Sequence, residues 1–181
     1  MAIKKTITVD GIEVPFKASA AVPRLYRIKF RRDIYKDFAA LQTSVQEGDE
    51  EGSTLDIESL EVFENIAYIM AKHAAPENVP DNPDEWLEAF NTFSIYEVLP
   101  QLIELWGLNV ETQAESKKKH RKTDRPMTTP LFLLRCKQLG LSMTELDLLT
   151  IGLINDMFTE RENDDYEGWH EVAGQADFDA F

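Results

Sequence analysis

With 181 residues, 43% of them hydrophobic and 29% charged, the chain is long enough for one sizeable core or two small ones and has the composition of a globular protein. No run approaches the roughly 18 apolar residues that cross a membrane, and the single cysteine, Cys136, excludes an internal disulfide and paired-cysteine zinc sites. The formal net charge of −14 divides unevenly: 10 Lys and Arg face 20 Asp and Glu over 1–113, 6 face 2 over 114–128, and 3 face 11 over 129–181, so two acidic parts that repel nucleic acid flank a basic connector.

The expected fold class is mainly α: an N-terminal β-hairpin plus helical domain over 1–113, a basic flexible linker over 114–128, and a small helical domain with an acidic-aromatic tail over 129–181. In "KTITVDGIEVPFKA", Ile7 and Val9 alternate before Asp10-Gly11, and Ile12, Val14 and Phe16 alternate after it. Asp-Gly suits the positive φ angles of a type I′ turn, and Pro15 places its strand at an edge. Helical spacing runs from Pro23 to about Gln46 with a break near Arg31-Arg32-Asp33, where Asp33 is placed to cap the second half.

"QEGDEEGS", 46–53, reads as an exposed acidic loop. After it Ile57, Leu60, Phe63, Ala67, Met70 and Ala74 line one helical face, with Glu58, Glu61, Asn65 and Lys72 opposite. Pro76, Pro80 and Pro83 interrupt; Asn82 caps a new helix at "NPDEW". Ser94 and Glu97 form a capping-box pattern before "VLPQLIELWG", where Pro100 implies a kink or late start and Gly107 a stop.

Beyond the run "ESKKKHRKTDRP", Thr129-Pro130 opens a short helix that Gly140 ends. "LFLL", 131–134, carries large apolar side chains around the whole helix, so either the first domain or another protein must cover part of it. Ser142 and Glu145 form a second capping box, followed by Met143, Leu146, Leu149, Leu153 and Met157 at spacings of three and four. Gly152 inside this pattern points to close helix packing. The end, from Glu160, has no sustained period and suits a tail that folds onto a partner.

Candidate chemistry is sparse. His73 and Glu77 stand four apart, yet Pro76 ends the helix between them and no second pair supplies further metal ligands. His120 and His170 have no nucleophile or carboxylate at a motif spacing, and GxSxG, HExxH, Walker and GxGxxG patterns are absent, so neither an enzyme nor a cofactor is expected. Arg24, Arg27, Lys29, Arg31, Arg32 and Lys36, with Tyr26, Phe30 and Tyr35 interleaved, fit a nucleic-acid surface or a contact with the chain's own acidic loop or another copy; the sign of the whole surface favours the second.

Two stretches carry a family resemblance. "RPMTTPLFLLRCKQLGLSMTELDLLTIGLINDMFTERENDDYE", 125–167, resembles the C-terminal part of tail assembly chaperones of siphophages and related prophages of Gram-positive bacteria. "VPFKASAAVPRLYRIKFRRDIYKDF", 14–38, and "FENIAYIMAKHA", 63–74, resemble the N-terminal part of the same family. The resemblance implies a non-catalytic role in building a long, non-contractile tail. The first domain is implied to coat the tape measure protein, and the second to recruit the major tail tube protein, in the host bacterial cytoplasm. The resemblance further implies that the chaperone is absent from the mature virion, and self-association is compatible with the role.

The family commonly makes its longer product by a ribosomal slip, and Lys117 to Lys119 can be encoded almost wholly in adenines; physically the same run is a self-repelling tether. For the tube-protein contact or its support, the candidates are Leu131, Phe132, Leu134, Leu139, Leu146, Met157, Phe158 and Tyr166. For packing or tape-measure contact they are Phe63, Ile66, Met70, Leu99, Leu102 and Trp106. The alternative reading is an acidic nucleic-acid mimic that inhibits a DNA-binding protein.

Overall fold

The computed structural model describes residues 1–51, 57–117 and 125–164, with the backbone alone at 44–51 and 57. The chain is mainly helical behind an N-terminal two-stranded antiparallel hairpin. Strands β1 (Ile3–Val9) and β2 (Ile12–Ala18) pair with Val9 opposite Ile12 across Asp10 and Gly11, whose φ angles of 49° and 76° are those of a type I′ turn. Pro15 faces Thr6. Ladder bonds alternate from the turn, so this is a non-hydrogen-bonded position where proline's missing N–H costs nothing. Ile7, Val9, Val14, Phe16 and Ala18 all point into the core.

Helix α1 (Val22–Phe30) ends on Arg31, held at φ 59°, and α2 (Ile34–Glu51) starts where Asp33 Oδ1 accepts from Tyr35 N–H at 3.2 Å. The expected break and cap are therefore both present. The expected loop at 46–53 is corrected in part: α2 continues through Glu51, because no proline stops it and a helical glycine at 48 costs only about 1 kcal/mol. Residues 52–53 lie outside the described chain.

The Tyr26 hydroxyl donates to Asp37 at 2.7 Å, and Arg32 donates to both oxygens of the same carboxylate at 2.7 and 3.1 Å, fastening α1 to α2. Burial and the Asp37 carboxylate push the Tyr26 hydroxyl well above the ordinary phenol range.

Helix α3 (Ile57–Ala74) is the centre of the molecule, touching β2, α1, α2, α4 and α5. Of the expected polar face, Glu58 and Glu61 are exposed and Lys72 is half-buried, but Asn65 is not outside. From Val62 to Ala71 every residue except Glu64 is buried, Asn65 included, because neighbours cover the helix on all sides. Short α4 (Pro83–Leu87) begins as expected with Asn82 Oδ1 accepting from Asp84 N–H at 3.1 Å.

Helix α5 (Ile95–Val110) runs unbroken through Pro100, which removes one i→i−4 bond, the one to Tyr96 O, and it passes the expected stop at Gly107. Burial of Leu105, Trp106 and Asn109 outweighs the ~1 kcal/mol helical cost of glycine. Ser94 precedes α5 without a side-chain cap bond.

Helix α6 (Thr129–Gln138) starts with the Thr128 hydroxyl accepting from Leu131 N–H and ends in a Schellman motif. There Leu141 N–H reaches Cys136 O and Gly140 N–H reaches Lys137 O, both at 3.0 Å, with Gly140 at φ 76°. The continuous helix expected from Met143 is corrected. Glu145 closes its box on Ser142, but only a 3-10 turn, Glu145–Asp147, follows. A break at 148–150 precedes α7 (Ile151–Asn163), which takes Thr150 as its cap and absorbs the first residues assigned to the tail.

Residues 129–164 do not stand apart from residues 1–113. Phe132, Cys136, Leu141, Leu146, Ile151 and Ile154 belong to the same core as the hairpin and α1–α5. The ring of Tyr35 lies 6.0 Å from Trp106 and 6.2 Å from Phe132, and Phe38 stacks on Trp106 at 4.9 Å. The Tyr35 hydroxyl is buried there without a hydrogen-bond partner among the described residues. Tyr35→Phe is therefore expected to raise the free energy of unfolding by about 1 kcal/mol, measured by urea denaturation. A loss of stability instead would mean that the hydroxyl is bonded in solution.

Candidate functional site

The polar group that most resembles a catalytic site lies between β2, α3 and the 3-10 turn. Ser19 Oγ is 2.8 Å from His73 Nε2, and Asp147 Oδ1 is 3.9 Å from the same nitrogen. A nucleophilic triad needs hydroxyl and carboxylate on opposite ring nitrogens, and its hydroxyl must meet a substrate. Here both partners address one nitrogen, Ser19 is fully buried, and its oxygen also accepts from Ala21 N–H at 3.2 Å. The arrangement clasps three elements and has no access for a substrate carbonyl. Among the described residues no group of three His, Cys, Asp or Glu side chains is placed to hold a metal ion.

Burial, with Lys17 and to a lesser degree Lys4 and Arg24, holds the His73 imidazole down at about 4 against the opposing pull of Asp147. Between the unfolded value of about 6.5 and this value, the unfolded chain binds a proton that the folded chain refuses. The stability present above pH ~6.5 should fall by about 3 kcal/mol as pH drops to ~4. The check is urea denaturation across that range, where His73→Leu should lose less stability on acidification than the parent; equal slopes would exclude His73 as the cause.

The junction between residues 129–164 and the remainder is a set of polar clamps around an apolar seam. Asp33 is its main node: besides capping α2, it accepts from Thr129 N–H at 2.9 Å and from the Thr129 hydroxyl at 3.1 Å, so one carboxylate holds the starts of two helices. Buried Asn109 accepts from Ile151 N–H at 3.3 Å and donates to Ser19 O at 3.4 Å. Ala2 and Ala20 donate backbone N–H groups to Leu148 O and Leu149 O, both at 2.8 Å. Asp156 accepts from Gln113 and Ala114 N–H, while Asn163 bonds Lys117 N–H and Glu115 O, so the start of the basic run lies along α7.

A Cβ on Gly152 would fall 1.7 Å from Glu111 O, which is the close approach expected from sequence. Of the other clamps, sequence offered a signal only for Asp33, as a cap. Asn109 and Asp156 have no local pattern that marks them.

The six residues named for packing or tape-measure contact, Phe63, Ile66, Met70, Leu99, Leu102 and Trp106, are all buried. They form the interior together and present no surface. The tube-contact set divides. Phe132 and Leu146 are fully buried, Leu131, Leu139 and Phe158 are half-buried, and Leu134 and Met157 are exposed at 55% and 37%. Phe158 lies beneath the Arg135 guanidinium, 4.9 Å from its ring centre, joining α6 to α7. Tyr166 lies outside the described residues, as do His120, His170 and most of the basic run.

Other exposed apolar side chains lie outside both candidate sets: Leu108, Leu148 and Leu153 are 46%, 66% and 38% exposed. Leu108 and Leu153 meet Met1 at a cavity of about 200 Å³ that Glu111 and Asp156 also line. The basic positions from α1 to the start of α2 also divide. Lys29, although exposed, bonds Asp81 O at 2.5 Å and Arg32 bonds Asp37 and Glu58, whereas Arg27, Arg31 and Lys36 are exposed and, among the described residues, only Arg27 of the three has an ion-pair partner, Asp33 at 3.8 Å. Tyr26 and Tyr35 turn inward and Phe30 packs against the core, so the aromatic groups needed for base stacking are not on the basic surface.

No family model, characterised protein or solved structure matches this chain.

Proposed function

We propose that the chain is a non-catalytic tail assembly chaperone of a siphophage or related prophage, covering the tape measure protein and recruiting tail tube subunits in the host cytoplasm. The resemblance over 125–167 supplies the reading. The observation that supports it best is the outward set on the C-terminal helices. After Phe132, Leu146 and Ile154 have entered the core, Leu134, Leu153 and Met157 still face solvent. Exposed apolar side chains on a body this acidic fit a transient, moderate contact with another polypeptide, with charge limiting self-association.

The buried state of Phe63, Met70 and Trp106 gives these residues a supporting role, so tape-measure contact falls to other surfaces of 1–113. Cutting the chain at 113 would remove Phe132 from Tyr35 and take Leu146 and Ile154 out of the shared core, so the test keeps the full chain. Leu134→Asp with Met157→Asp is expected to weaken retention of tube protein in a pull-down by about tenfold or more while a co-expressed tape measure fragment stays soluble. Unchanged tube retention would remove these helices from the contact. Partners that release in high salt and compete with DNA would instead support the acidic-mimic reading.

A further inference from the structure

The outer face of α1 is a cationic surface on a strongly acidic chain. At 100° per residue, Arg24, Arg27, Ile28 and Arg31 fall within about 100° of arc. Arg27, Ile28 and Arg31 are exposed, Ile28 at 57%. Lys36 continues the exposed basic positions at the start of α2. Arg27 has only a loose partner, Asp33 at 3.8 Å, and among the described residues neither Arg31 nor Lys36 has a carboxylate partner. An exposed apolar side chain beside guanidinium groups that have a loose carboxylate partner or, among the described residues, none selects an acidic segment that also carries apolar or aromatic side chains.

We propose that this face of α1 docks the chain's own residues 165–181. That segment, "DYEGWHEVAGQADFDAF", carries Asp165, Glu167, Glu171, Asp177 and Asp179 without a Lys or Arg, together with Tyr166, Trp169, Phe178 and Phe181. Its point of departure is close enough. Arg161 bonds Gln138 O, which puts the end of α7 beside the end of α6, and the start of α6 is tied to Asp33 next to α1. The ten residues of α6 span about 15 Å, while the 17 residues beyond Asp164 reach up to about 55 Å when extended. Tethering makes the encounter intramolecular and favours it over a second copy, which a net charge of −14 repels. A nucleic acid would find the same cations, but no aromatic platform beside them.

The test uses the full chain with isoleucine methyl groups isotope-labelled and a nitroxide on His170→Cys. Cys136 is buried, with its thiol pushed up to about 11, and is left unlabelled by the reagent. At about 50 mM salt the Ile28 methyl signal should lose most of its intensity. Ile12, exposed at the hairpin turn and a strand length from the C-terminal helices, should keep its intensity. Half a molar salt, the pair Arg27→Glu and Arg31→Glu, or Glu167→Gln with Glu171→Gln, Asp177→Asn and Asp179→Asn should each restore Ile28. The neutralised tail supplies a variant outside the folded core. Equal attenuation at Ile28 and Ile12, or attenuation that ignores salt and all of these substitutions, would overturn the proposal. So would attenuation seen only when spin-labelled and isotope-labelled chains are mixed, because that outcome assigns the face to a second copy.

Discussion

Gly152→Ala is expected to lower the free energy of unfolding by about 3 kcal/mol, despite replacing a helical glycine with the best helix former. The helix-propensity gain is at most about 1 kcal/mol and is smaller in a first turn. Against it stands a methyl group 1.7 Å from Glu111 O and 2.6 Å from its carbonyl carbon. The obstacle is backbone, so no rotamer relieves it, and overpacking of this kind costs about 1–3 kcal/mol. The start of α7 must then move away from α5, which also breaks the Asn109 bond to Ile151 N–H and leaves a fully buried amide oxygen without its donor, a further 1–3 kcal/mol or so. Urea denaturation gives the magnitude, and amide hydrogen exchange should quicken first at Ile151 and Ile154. A more stable Ala variant would mean that α7 does not pack on α5 as described.

Asp33→Ala should cost a similar amount, about 3 kcal/mol, through a different mechanism. The carboxylate caps α2 through Tyr35 N–H, holds α6 through Thr129 N–H and hydroxyl, and stands 3.8 Å from Arg27. A lost cap is worth about 1 kcal/mol and hydrogen bonds to a charged group about 1.5–3 kcal/mol together with the polar groups left behind. Asp33→Asn keeps one oxygen acceptor for the cap and should recover about half of the loss. Double-mutant cycles with Thr129→Val should show coupling of roughly 1 kcal/mol, since both substitutions remove the same bonds. Strict additivity would show that Asp33 acts on α2 alone.

Both results concern a seam that local sequence patterns mark only faintly. The capping role of Asp33 is legible because a side chain two residues before an amide is a local relation. Its second role is not, because Thr129 is 96 residues away. The same distinction applies to Leu134 and Phe132, two positions apart in one apolar run: one is 55% exposed and the other fully buried. Composition gives both the same hydrophobic driving force, and the packing of α6 on the shared core, with Tyr35 beside Phe132, decides which is covered. Helical periodicity failed similarly around α3, where polar Asn65 lies inside because helices and sheet surround it.

Sequence alone determined what depends on neighbours within about four residues: the Asp10-Gly11 hairpin, the breaks at Arg31 and Gly140, and the start at Asn82. These rest on φ preferences and side-chain bonds to nearby amides, which any surrounding fold leaves in force. Tertiary structure decided that α5 passes Gly107, that the spacing from Met143 to Met157 holds a 3-10 turn and a separate helix, and that 129–164 share a core with the hairpin and α1–α5. In each case burying Trp106, Leu146 or Ile154 against residues far away in the chain is worth about 1.5–3 kcal/mol per side chain, more than the roughly 1 kcal/mol that separates one local conformation from another.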